Sequence, residues 1–254
     1  MNYDLFMSST VGYKNILKKR NSQDYIDYKI LNNSIICTVA DGHSTSFFKY
    51  SDKGAELACK ACIEVLETYI LESKDYMKLE LEKLNIQEKI YNRWMDLVSQ
   101  HFKYNNPVVY KTQYLKYSTT LVATLITEKF ILFIKLGDGN IIVKNRNKYE
   151  KIINNSTMGV VQAFGRTNAY LNINSRIEDI KEYENANIIL FTDGYENSFE
   201  NEVKLYKSLE RTVSKYNKNV FSRFLLHQDY DKYLSRLSKD ISFDDISIIY
   251  LIKK

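Results

Sequence analysis

Short apolar runs that begin or end at an aspartate recur along this chain and constrain its fold. The runs cover residues 35–40, 131–136, 188–191 and 246–250, and the aspartates are Asp41, Asp138, Asp193 and Asp244. Apolar runs of about four to eight residues beside turn residues are typical of buried β-strands. Glycine follows three of these aspartates, and a single Asp-Gly pair is ordinary turn sequence. The sequence therefore predicts a sheet-rich core with carboxylates at the strand ends.

The order of the predicted elements places two helix pairs between groups of strands. Strands are predicted over 25–30, 34–40, 118–127, 129–136, 140–144, 149–153, 188–191 and 246–252. Apolar residues three and four apart predict helices from Ser51, over 76–103, over 200–216 and over 219–236. A hairpin turn is expected at Asn32-Asn33 and another at Gly137–Gly139, with a loop over 154–168. Because the helix pairs are segregated from the strands, the pattern indicates an α+β fold with antiparallel sheet.

Composition predicts one globular domain over residues 1–254. Of the 254 residues, 44% are hydrophobic and 26% charged, and no Pro/Gly-rich linker divides them. No apolar run approaches the roughly 18 residues of a membrane span, and the N-terminus lacks a signal-peptide pattern. The net charge of +5 is scattered along the sequence, so nucleic-acid binding is not expected. An odd cysteine count of 3 predicts reduced thiols and a cytoplasmic location.

Carboxylates that end several strands of one core can converge at a common sheet edge. Converging carboxylates repel one another unless a cation lies between them, and Mg²⁺ and Mn²⁺ are hard ions that prefer oxygen ligands. The glycine after Asp41 allows a backbone carbonyl to approach such an ion closely. Two ions about 3.5–4 Å apart would activate water and bind phosphoryl oxygens. The residues alone therefore suggest a carboxylate-rich metal site for phosphoryl chemistry.

Several short motifs occur here in the order found in one enzyme family. They are Asn21–Asp24, Val39–His43, Ser51 with Gly54-Ala55, Ser118–Ala123, Leu136–Gly139, Phe191–Gly194 and Asp244–Ser247. Together they make the chain similar to the metal-dependent Ser/Thr protein phosphatases of type 2C, and the Gln23-Asp24 opening resembles a bacterial branch of that family. The resemblance covers nearly the whole chain. It implies a four-layer αββα sandwich in which two antiparallel β-sheets are flanked by helix pairs.

The resemblance also implies metal-binding roles for the matched residues. The Asp41 carboxylate would bridge two Mn²⁺ or Mg²⁺ ions, with the Gly42 carbonyl as a further ligand. The first ion would be held by Asp193 and Asp244, and the site would be supported by Asp24. The position of Asp138 is linked to a third, weaker ion in bacterial relatives. The implied reaction is attack of a metal-bound hydroxide on phosphorus, without a phosphoenzyme.

The positions that bind phosphate and supply a proton match the family less closely. Lys19 stands where many members carry a phosphate-gripping arginine, with Arg20 beside it, and a lysine lacks the bidentate fork. Either residue is therefore a candidate for the substrate phosphate. His43 matches the general acid proposed in some members, and its alternative is a surface turn residue. Gln23 replaces a glutamate that often coordinates the second metal.

Other conspicuous residues have simpler explanations. Cys59 and Cys62 could suggest zinc or redox chemistry, but no further ligands lie at suitable spacing, so packing on a helix face is expected. His101 and His227 are isolated on predicted helices and are expected to be structural or surface residues. The basic segment Lys14–Arg20 is either a solvated loop or a phosphate-attracting rim of the site.

Three functions stay open at this point. The first is a cytoplasmic, monomeric phosphatase that removes phosphate from Ser or Thr of a protein substrate and is paired with a cognate kinase. The second is a weakly active or inactive module that binds a phosphoprotein or a regulatory partner. The third is a phosphatase for a small phosphorylated molecule, because a metal core binds phosphate while the surrounding loops select the rest of the substrate.

Overall fold

Ten strands lie within the residues that the computed structural model describes, which are 3–72, 86–105, 114–146, 148–154 and 161–254. They are β1 (Tyr3–Thr10), β2 (Asp24–Leu31), β3 (Ser34–Asp41), β4 (Leu121–Ile126), β5 (Phe130–Leu136), β6 (Asn140–Asn145), β7 (Lys148–Lys151), β8 (Asn174–Asp179), β9 (Ala186–Phe191) and β10 (Ile246–Lys253). One five-stranded sheet has the order β1-β10-β9-β6-β7, and the other has the order β2-β3-β4-β5-β8. All of the pairings are antiparallel.

Two pairs of long helices accompany the sheets. The α-helices of the described ranges are α1 (Tyr13–Leu17), α2 (Ser51–Glu72), α3 (Ile86–Asn105), α4 (Asp193–Glu196), α5 (Glu202–Lys218) and α6 (Val220–Leu237). Asparagine caps begin the last two, since the side chain of Asn201 accepts from Lys204 N at 3.0 Å and that of Asn219 from Ser222 N at 2.7 Å. No helix among the described residues is long and apolar enough to span a membrane.

Alternating strand residues supply three apolar layers. Ile188 and Leu190 of β9 pack between the two sheets, whereas Ile189 and Phe191 pack against α5 and α6. On the far side, the second sheet packs against α2 and α3, where Trp94 is fully buried. Because both faces of each sheet are covered, the central strands are continuous apolar runs. The predicted four-layer αββα sandwich is confirmed.

The turn at Gly137–Gly139 is not a hairpin, and that prediction is wrong. β5 and β6 belong to different sheets, so this turn carries the chain from one sheet to the other. Gly137 has a φ of +99°, which side-chain-bearing residues rarely adopt, and a Cβ on Gly139 would lie 2.7 Å from Val122 Cγ2. A tight turn between two apolar runs shows that the chain changes direction, but it does not show which strands pair.

The sequence analysis did not predict two of the strands, and the structure describes only part of two predicted segments. β1 and β8 were not predicted as separate strands, and β8 is a polar edge strand without apolar alternation that is defined by pairing with β5. The predicted helix over 76–103 is seen as α3, and its residues before Ile86 lie outside the described ranges. Residues 155–160 of the predicted loop also lie outside them.

The cysteines are core residues, as the helical spacing predicts. Cys37, Cys59 and Cys62 are all free and buried, and Cys59 and Cys62 belong to the apolar layer between α2 and the second sheet. Burial raises the pKa of all three thiols, which makes them poor nucleophiles and poor metal ligands. The two isolated histidines are also packing residues, since His101 contacts the Tyr117 hydroxyl at 2.8 Å and His227 packs edge-on to Phe6.

Candidate metal centre

Three of the predicted aspartates meet at one edge of the two sheets. Asp41 ends β3, Asp138 lies in the turn between β5 and β6, and Asp193 begins α4 directly after β9. One carboxylate oxygen from each lies within 4.8 Å of the others. We call Asp41, Asp138 and Asp193 the open cluster. The strands end at a common edge, so residues that are far apart in the sequence converge there.

The backbone of Asp41 is held by the threonines that precede β4. Asp41 N donates to Thr120 Oγ1 at 3.0 Å, and the Asp41 carbonyl accepts from Thr119 Oγ1 and from Thr120 N, each at 2.9 Å. These contacts explain why β4 begins at Leu121 rather than at Ser118, where the sequence predicts it. The two threonines therefore orient the end of β3 instead of extending the sheet.

The open cluster has more negative charge than its surroundings compensate. Among the described residues, the buried Oδ1 atoms of Asp138 and Asp193 have no hydrogen-bond partner. Burial and neighbouring carboxylates raise the pKa of Asp41 well above its usual range and raise that of Asp193 to about 6. Burial also raises the pKa of Asp138. Unpartnered carboxylate oxygens at this spacing fit a divalent cation such as Mn²⁺ or Mg²⁺.

Asp24 and Gln23 bring further oxygen atoms to the same edge. Asp24 lies opposite Asp41 in the β2–β3 pairing and is buried. Thr192 Oγ1 donates to Asp24 Oδ2 at 2.8 Å, while Asp24 Oδ1 and Gln23 Oε1 are buried without a partner in the described residues. Burial and the charge of Asp245 raise the pKa of Asp24 well above its usual range. The amide oxygen of Gln23 is a neutral donor in place of a carboxylate.

Asp244 lies in a cleft at this edge of the sheets, but its carboxylate is paired with a lysine. The cleft has a volume of about 200 Å³ and also contains Asp41, His43 and Asp138. Lys14 Nζ lies 2.5 Å from Asp244 Oδ1. Burial acts to lower the pKa of Lys14, but the hydrogen bond and charge of Asp244 raise it overall. Lys14 belongs to the basic segment predicted from the sequence, but nothing in the sequence distinguishes it from its neighbours as the lysine that enters the cleft.

The carboxylate of Asp245, the next residue, accepts hydrogen bonds from N–H groups of the protein itself. Its carboxylate accepts from Gly12 N at 2.5 Å, from Asn15 Nδ2 at 2.8 Å and from Gln23 N at 2.8 Å. These donors tie together the N-terminal segment, the start of β2 and the start of β10. Asp245 therefore holds the edge of the site rather than facing the cleft.

Gly42 and His43 continue the chain from Asp41 along the cleft. A Cβ on Gly42 would lie 2.5 Å from the Ser51 carbonyl oxygen, so only glycine fits this close approach. The His43 ring packs edge-on against Phe48, with ring centroids 4.9 Å apart. Burial lowers the pKa of His43, Asp138 acts to raise it, and Arg166 lowers it further. His43 is thus close to the open cluster, and its burial favours the neutral form of the ring.

The two predicted phosphate-binding residues lie in a neighbouring pocket. Lys19 and Arg20 line a pocket of about 370 Å³ together with Gln23 and Lys49, and Thr45 is shared between this pocket and the carboxylate cleft. Arg20 Nη1 donates to the Ser44 carbonyl at 3.4 Å. The structure therefore brings Lys14, and not Lys19 or Arg20, into the cleft with the aspartates.

The sequence analysis did not identify the buried polar network that Lys135, Asn140 and Glu196 form behind the cleft. Lys135 is only 2% exposed, and its Nζ donates to Asn140 Oδ1 at 3.0 Å and to the Ile153 carbonyl at 3.3 Å. Asn140 Nδ2 donates to the Asp138 carbonyl at 3.2 Å and to the carboxylate of Glu196. Burial lowers the pKa of Lys135 to about 8. The network connects the turn that carries Asp138 with α4, which carries Asp193, and its one sequence signal is a lysine inside an apolar run.

Solved structures of bacterial phosphatases share this architecture. Stp1 from Staphylococcus aureus superposes with a TM-score of 0.64 at 15% identity, over 100% of this chain and 96% of that one. The serine/threonine phosphatase of S. agalactiae gives 0.63 at 14% identity, over 99% and 100%. The catalytic domain of PstP, solved with two manganese ions, gives 0.60 at 13% identity, over 99% of each chain. At these identities the likeness shows the fold.

The sequence also matches a family profile over most of its length. The profile described as Protein phosphatase 2C aligns with residues 11–229, which include α1, the end of β3, the threonines before β4 and the turn that carries Asp138. No match to a curated protein was found. Because the profile spans far more than half of the residues, the chain belongs to the protein phosphatase 2C family.

Proposed function

We propose that this protein is a metal-dependent phosphatase that hydrolyses phosphoserine and phosphothreonine in proteins. The observation that carries the proposal is the open cluster, whose three carboxylates approach within 4.8 Å and include buried oxygens without donors. Such an arrangement is unfavourable unless a cation compensates it. Membership of the family and the two manganese ions of the PstP relative support the same interpretation.

Some residues at the cleft would bind metal ions, and others would bind the substrate. The ligands would be the carboxylates of Asp24, Asp41, Asp138, Asp193 and Asp244 with the Gly42 carbonyl. Bound Mn²⁺ or Mg²⁺, two ions with a third at Asp138, would supply the charge that activates water and neutralises phosphoryl oxygens. For Asp244 to become a ligand, Lys14 has to release it. The freed ammonium group would then lie in the cleft, where it can bind a substrate phosphate oxygen.

His43 would act on the leaving group. It lines the cleft beside Asp41 and Asp138, so a substrate phosphate there lies near its ring. Burial disfavours the imidazolium form of His43, and a phosphate dianion beside the ring would favour it. The proton would pass to the seryl or threonyl alkoxide as the phosphorus–oxygen bond breaks.

A protein substrate fits the surroundings of the cleft better than a small ester. The adjoining pocket with Lys19, Arg20 and Lys49 would contact residues that flank the phosphorylated side chain. We further propose a monomeric protein of one domain, opposed to a cognate Ser/Thr kinase. The three free, buried thiols are compatible with the reducing conditions of the cytoplasm.

A second candidate is a phosphatase-like module that binds a phosphoprotein with little or no turnover. One observation favours it, namely the pairing of Asp244 with Lys14, which gives a carboxylate at the metal site a cation from the protein itself. The neutral side chain of Gln23 also favours the binding module, because an amide oxygen binds a divalent ion more weakly than a carboxylate does.

Hydrolysis of p-nitrophenyl phosphate with and without Mn²⁺ separates the two candidates. We expect Mn²⁺-dependent turnover by the wild type and a fall of about 10³-fold in Asp193→Asn, since loss of a ligand removes several kcal/mol of transition-state stabilisation. Asp96→Asn is the matched control, because Asp96 is an exposed aspartate on α3, and its turnover should stay within about twofold of the wild type. Mn²⁺ binding without turnover by the wild type would reject the phosphatase and support the binding module.

A further inference from the structure

A groove between α5 and α6 is lined by five cationic side chains. It has a volume of about 700 Å³ and lies on the outer face of the first sheet. Its cationic lining residues are Arg211, Lys215, Lys218, Lys232 and Arg236, and its one acidic lining residue is Asp229. The sequence predicts scattered positive charge, so this clustering corrects that expectation. It arises because the two consecutive helices pack side by side and place their basic residues around one groove.

Helical spacing explains how the cations line both walls. Arg211, Lys215 and Lys218 are four and three residues apart on α5, which places them along one face of that helix. Lys232 and Arg236 are four residues apart on α6 and line the opposite wall. The apolar face of α5, which includes Leu209 and Val213, packs on the first sheet and leaves the basic face outward.

Most of these cations have no ion-pair partner in the part of the chain that the structure describes. Among the residues that the structure describes, Lys232 pairs with Asp229 at 3.0 Å, and no ion pair joins Arg211, Lys215 or Lys218 to a carboxylate. Arg236 likewise has none within the described ranges. Lysines elsewhere are often paired, as Lys144 is with Glu210 at 2.6 Å. Unpaired like charges that face one space repel one another and are relieved by an anionic ligand.

The groove is preformed, and hydroxyl groups of both helices meet at its floor. Hydrogen bonds between the helices fix the floor, since the Ser208 and Tyr233 hydroxyls lie 2.7 Å apart and Thr212 Oγ1 donates to the Tyr230 hydroxyl at 3.5 Å. Leu225, which is 40% exposed, adds an accessible apolar side chain. A preformed site loses little conformational entropy when it binds a ligand. The lining therefore suits a ligand that combines carboxylates with apolar groups.

We propose that this groove docks an acidic peptide segment of a partner protein. On α6 the lining residues run from Ser222 to Arg236, about 21 Å of helix, which corresponds to roughly six residues of extended chain. A concave groove with cations on both walls suits one extended chain better than the flat surface of a membrane. The charge of the lining is complementary to Glu and Asp, and Leu225 suits an apolar neighbour.

The position of the groove connects it to the carboxylate cleft. Ser238 follows α6, two residues after Arg236, and its Oγ donates to the Asp244 carbonyl at 2.7 Å. One end of the groove therefore adjoins the segment that carries Asp244. A segment in the groove and a phosphorylated residue in the cleft could belong to one partner, but docking itself does not depend on catalysis.

Fluorescence anisotropy with two labelled peptides tests the docking site. The probe is a fluorescein-labelled peptide of about six residues in which Glu alternates with Leu, and its control carries Gln for every Glu. We expect the wild type to bind the Glu peptide at least tenfold more tightly than the Gln peptide, and we expect this difference to shrink as salt rises. Equal binding of both peptides, or none, would overturn the proposal. This comparison needs no variant of the protein.

A charge-matched pair of variants locates the binding. Removing three groove cations in Arg211→Ala/Lys215→Ala/Arg236→Ala should weaken binding of the Glu peptide by about tenfold or more. Lys103→Ala/Lys148→Ala/Lys181→Ala removes the same charge from exposed sites elsewhere and should change it by less than about twofold. Equal losses in both variants would show nonspecific attraction and reject the groove.

Two further measurements distinguish docking of an acidic segment from an effect of catalysis and from membrane binding. Asp193→Asn should bind the Glu peptide as the wild type does, so loss of turnover there cannot be mistaken for loss of docking. Cosedimentation with vesicles that contain phosphatidylserine tests a membrane as occupant. Groove-dependent sedimentation together with no binding of the Glu peptide would replace the acidic segment by an anionic lipid surface.

Discussion

Two carboxylate environments lie side by side at the edge of the sheets and differ in what compensates their charge. Asp245 accepts hydrogen bonds from Gly12 N, Asn15 Nδ2 and Gln23 N. In the open cluster, the buried Oδ1 atoms of Asp138 and Asp193 have no donor among the described residues. Burial raises the pKa in both environments. The difference is therefore that the protein supplies hydrogen-bond donors to Asp245, whereas the open cluster includes buried oxygens with no donor among the described residues.

This contrast separates a structural carboxylate from one suited to bind a cation. Asp244 and Asp245 are neighbours in the sequence, yet Asp244 lines the cleft and Asp245 is surrounded by N–H donors. A carboxylate whose acceptor sites are already occupied gains little from a metal ion. A carboxylate with unoccupied buried oxygens gains the most, because its desolvation has not been compensated.

Removing the carboxylate of Asp245, whose charge is compensated by N–H donors of the protein, should have the largest effect on the free energy of unfolding. We expect Asp245→Ala to lower the free energy of unfolding by about 3 kcal/mol, because it leaves two buried N–H donors and a half-buried one without an acceptor. Urea unfolding in the presence of EDTA measures this effect. Under the same conditions Asp193→Asn should leave stability unchanged or raise it, since it removes a repelling charge. If both variants lost equal stability, the contrast between the two environments would be rejected.

Adding metal should stabilise the protein only through the open cluster. At a Mn²⁺ concentration about 100 times its Kd, the wild type should gain about 2.7 kcal/mol in the free energy of unfolding. For a chain of this size that raises Tm by several degrees. Asp193→Asn should lose most of this gain, whereas the exposed control Asp96→Asn should retain it. An undiminished rise in Asp193→Asn would show that Mn²⁺ binds elsewhere.

The pH dependence of stability should report the uncompensated charge. The pKa of Asp193 is about 6 in the folded protein against an ordinary value of 3.8, so the folded state binds the proton more tightly. The stabilising contribution is therefore fully present below about pH 4 and is lost as pH rises through about 6. In EDTA, the stability of the wild type relative to Asp193→Asn should fall by on the order of 2 kcal/mol between pH 4 and pH 7. A difference that is independent of pH would contradict the buried charge.

The smallest expected effect tests whether the open cluster depends on the network behind it. Asn140 contacts both the Asp138 carbonyl and Glu196, whose carboxylate is also held by Lys151 at 2.6 Å. We expect Asn140→Ala to cost about 1 kcal/mol of stability and to weaken Mn²⁺ binding severalfold. Titration calorimetry measures the second effect, with Asn145→Ala, an asparagine later on β6, as the control. Unchanged Mn²⁺ affinity would make the network purely structural.

The sequence predicted those features that depend on local pattern. Helical spacing located α2, α5 and α6, and apolar runs located the central strands to within a few residues. The same pattern did not reveal β8, because none of its residues is buried and it therefore carries no apolar alternation. It also gave the wrong partner for β5, because a glycine-rich turn has the same residues whether the next strand pairs with it or crosses to the other sheet.

For the site, the sequence predicted the aspartates but not their surroundings. Asp41, Asp138 and Asp193 were singled out as strand-end carboxylates, and the structure brings them together. Lys14 and Lys19 belong to one basic segment, and only their positions after folding show that Lys14 enters the cleft. Lys135 and Asn140 were not recognised at all, since a buried lysine is identified by its partners rather than by its sequence neighbours.

By itself, the sequence determined the layered α+β architecture, the family and the aspartates at the strand ends. Those features follow from hydrophobic periodicity and from short motifs, both of which act over a few neighbouring residues. The tertiary structure decided which aspartates share a cleft, which one is satisfied by the protein, and that the cations of α5 and α6 line one groove. These outcomes depend on distances between residues of different elements, and electrostatic energy depends on those distances and on burial, not on sequence separation.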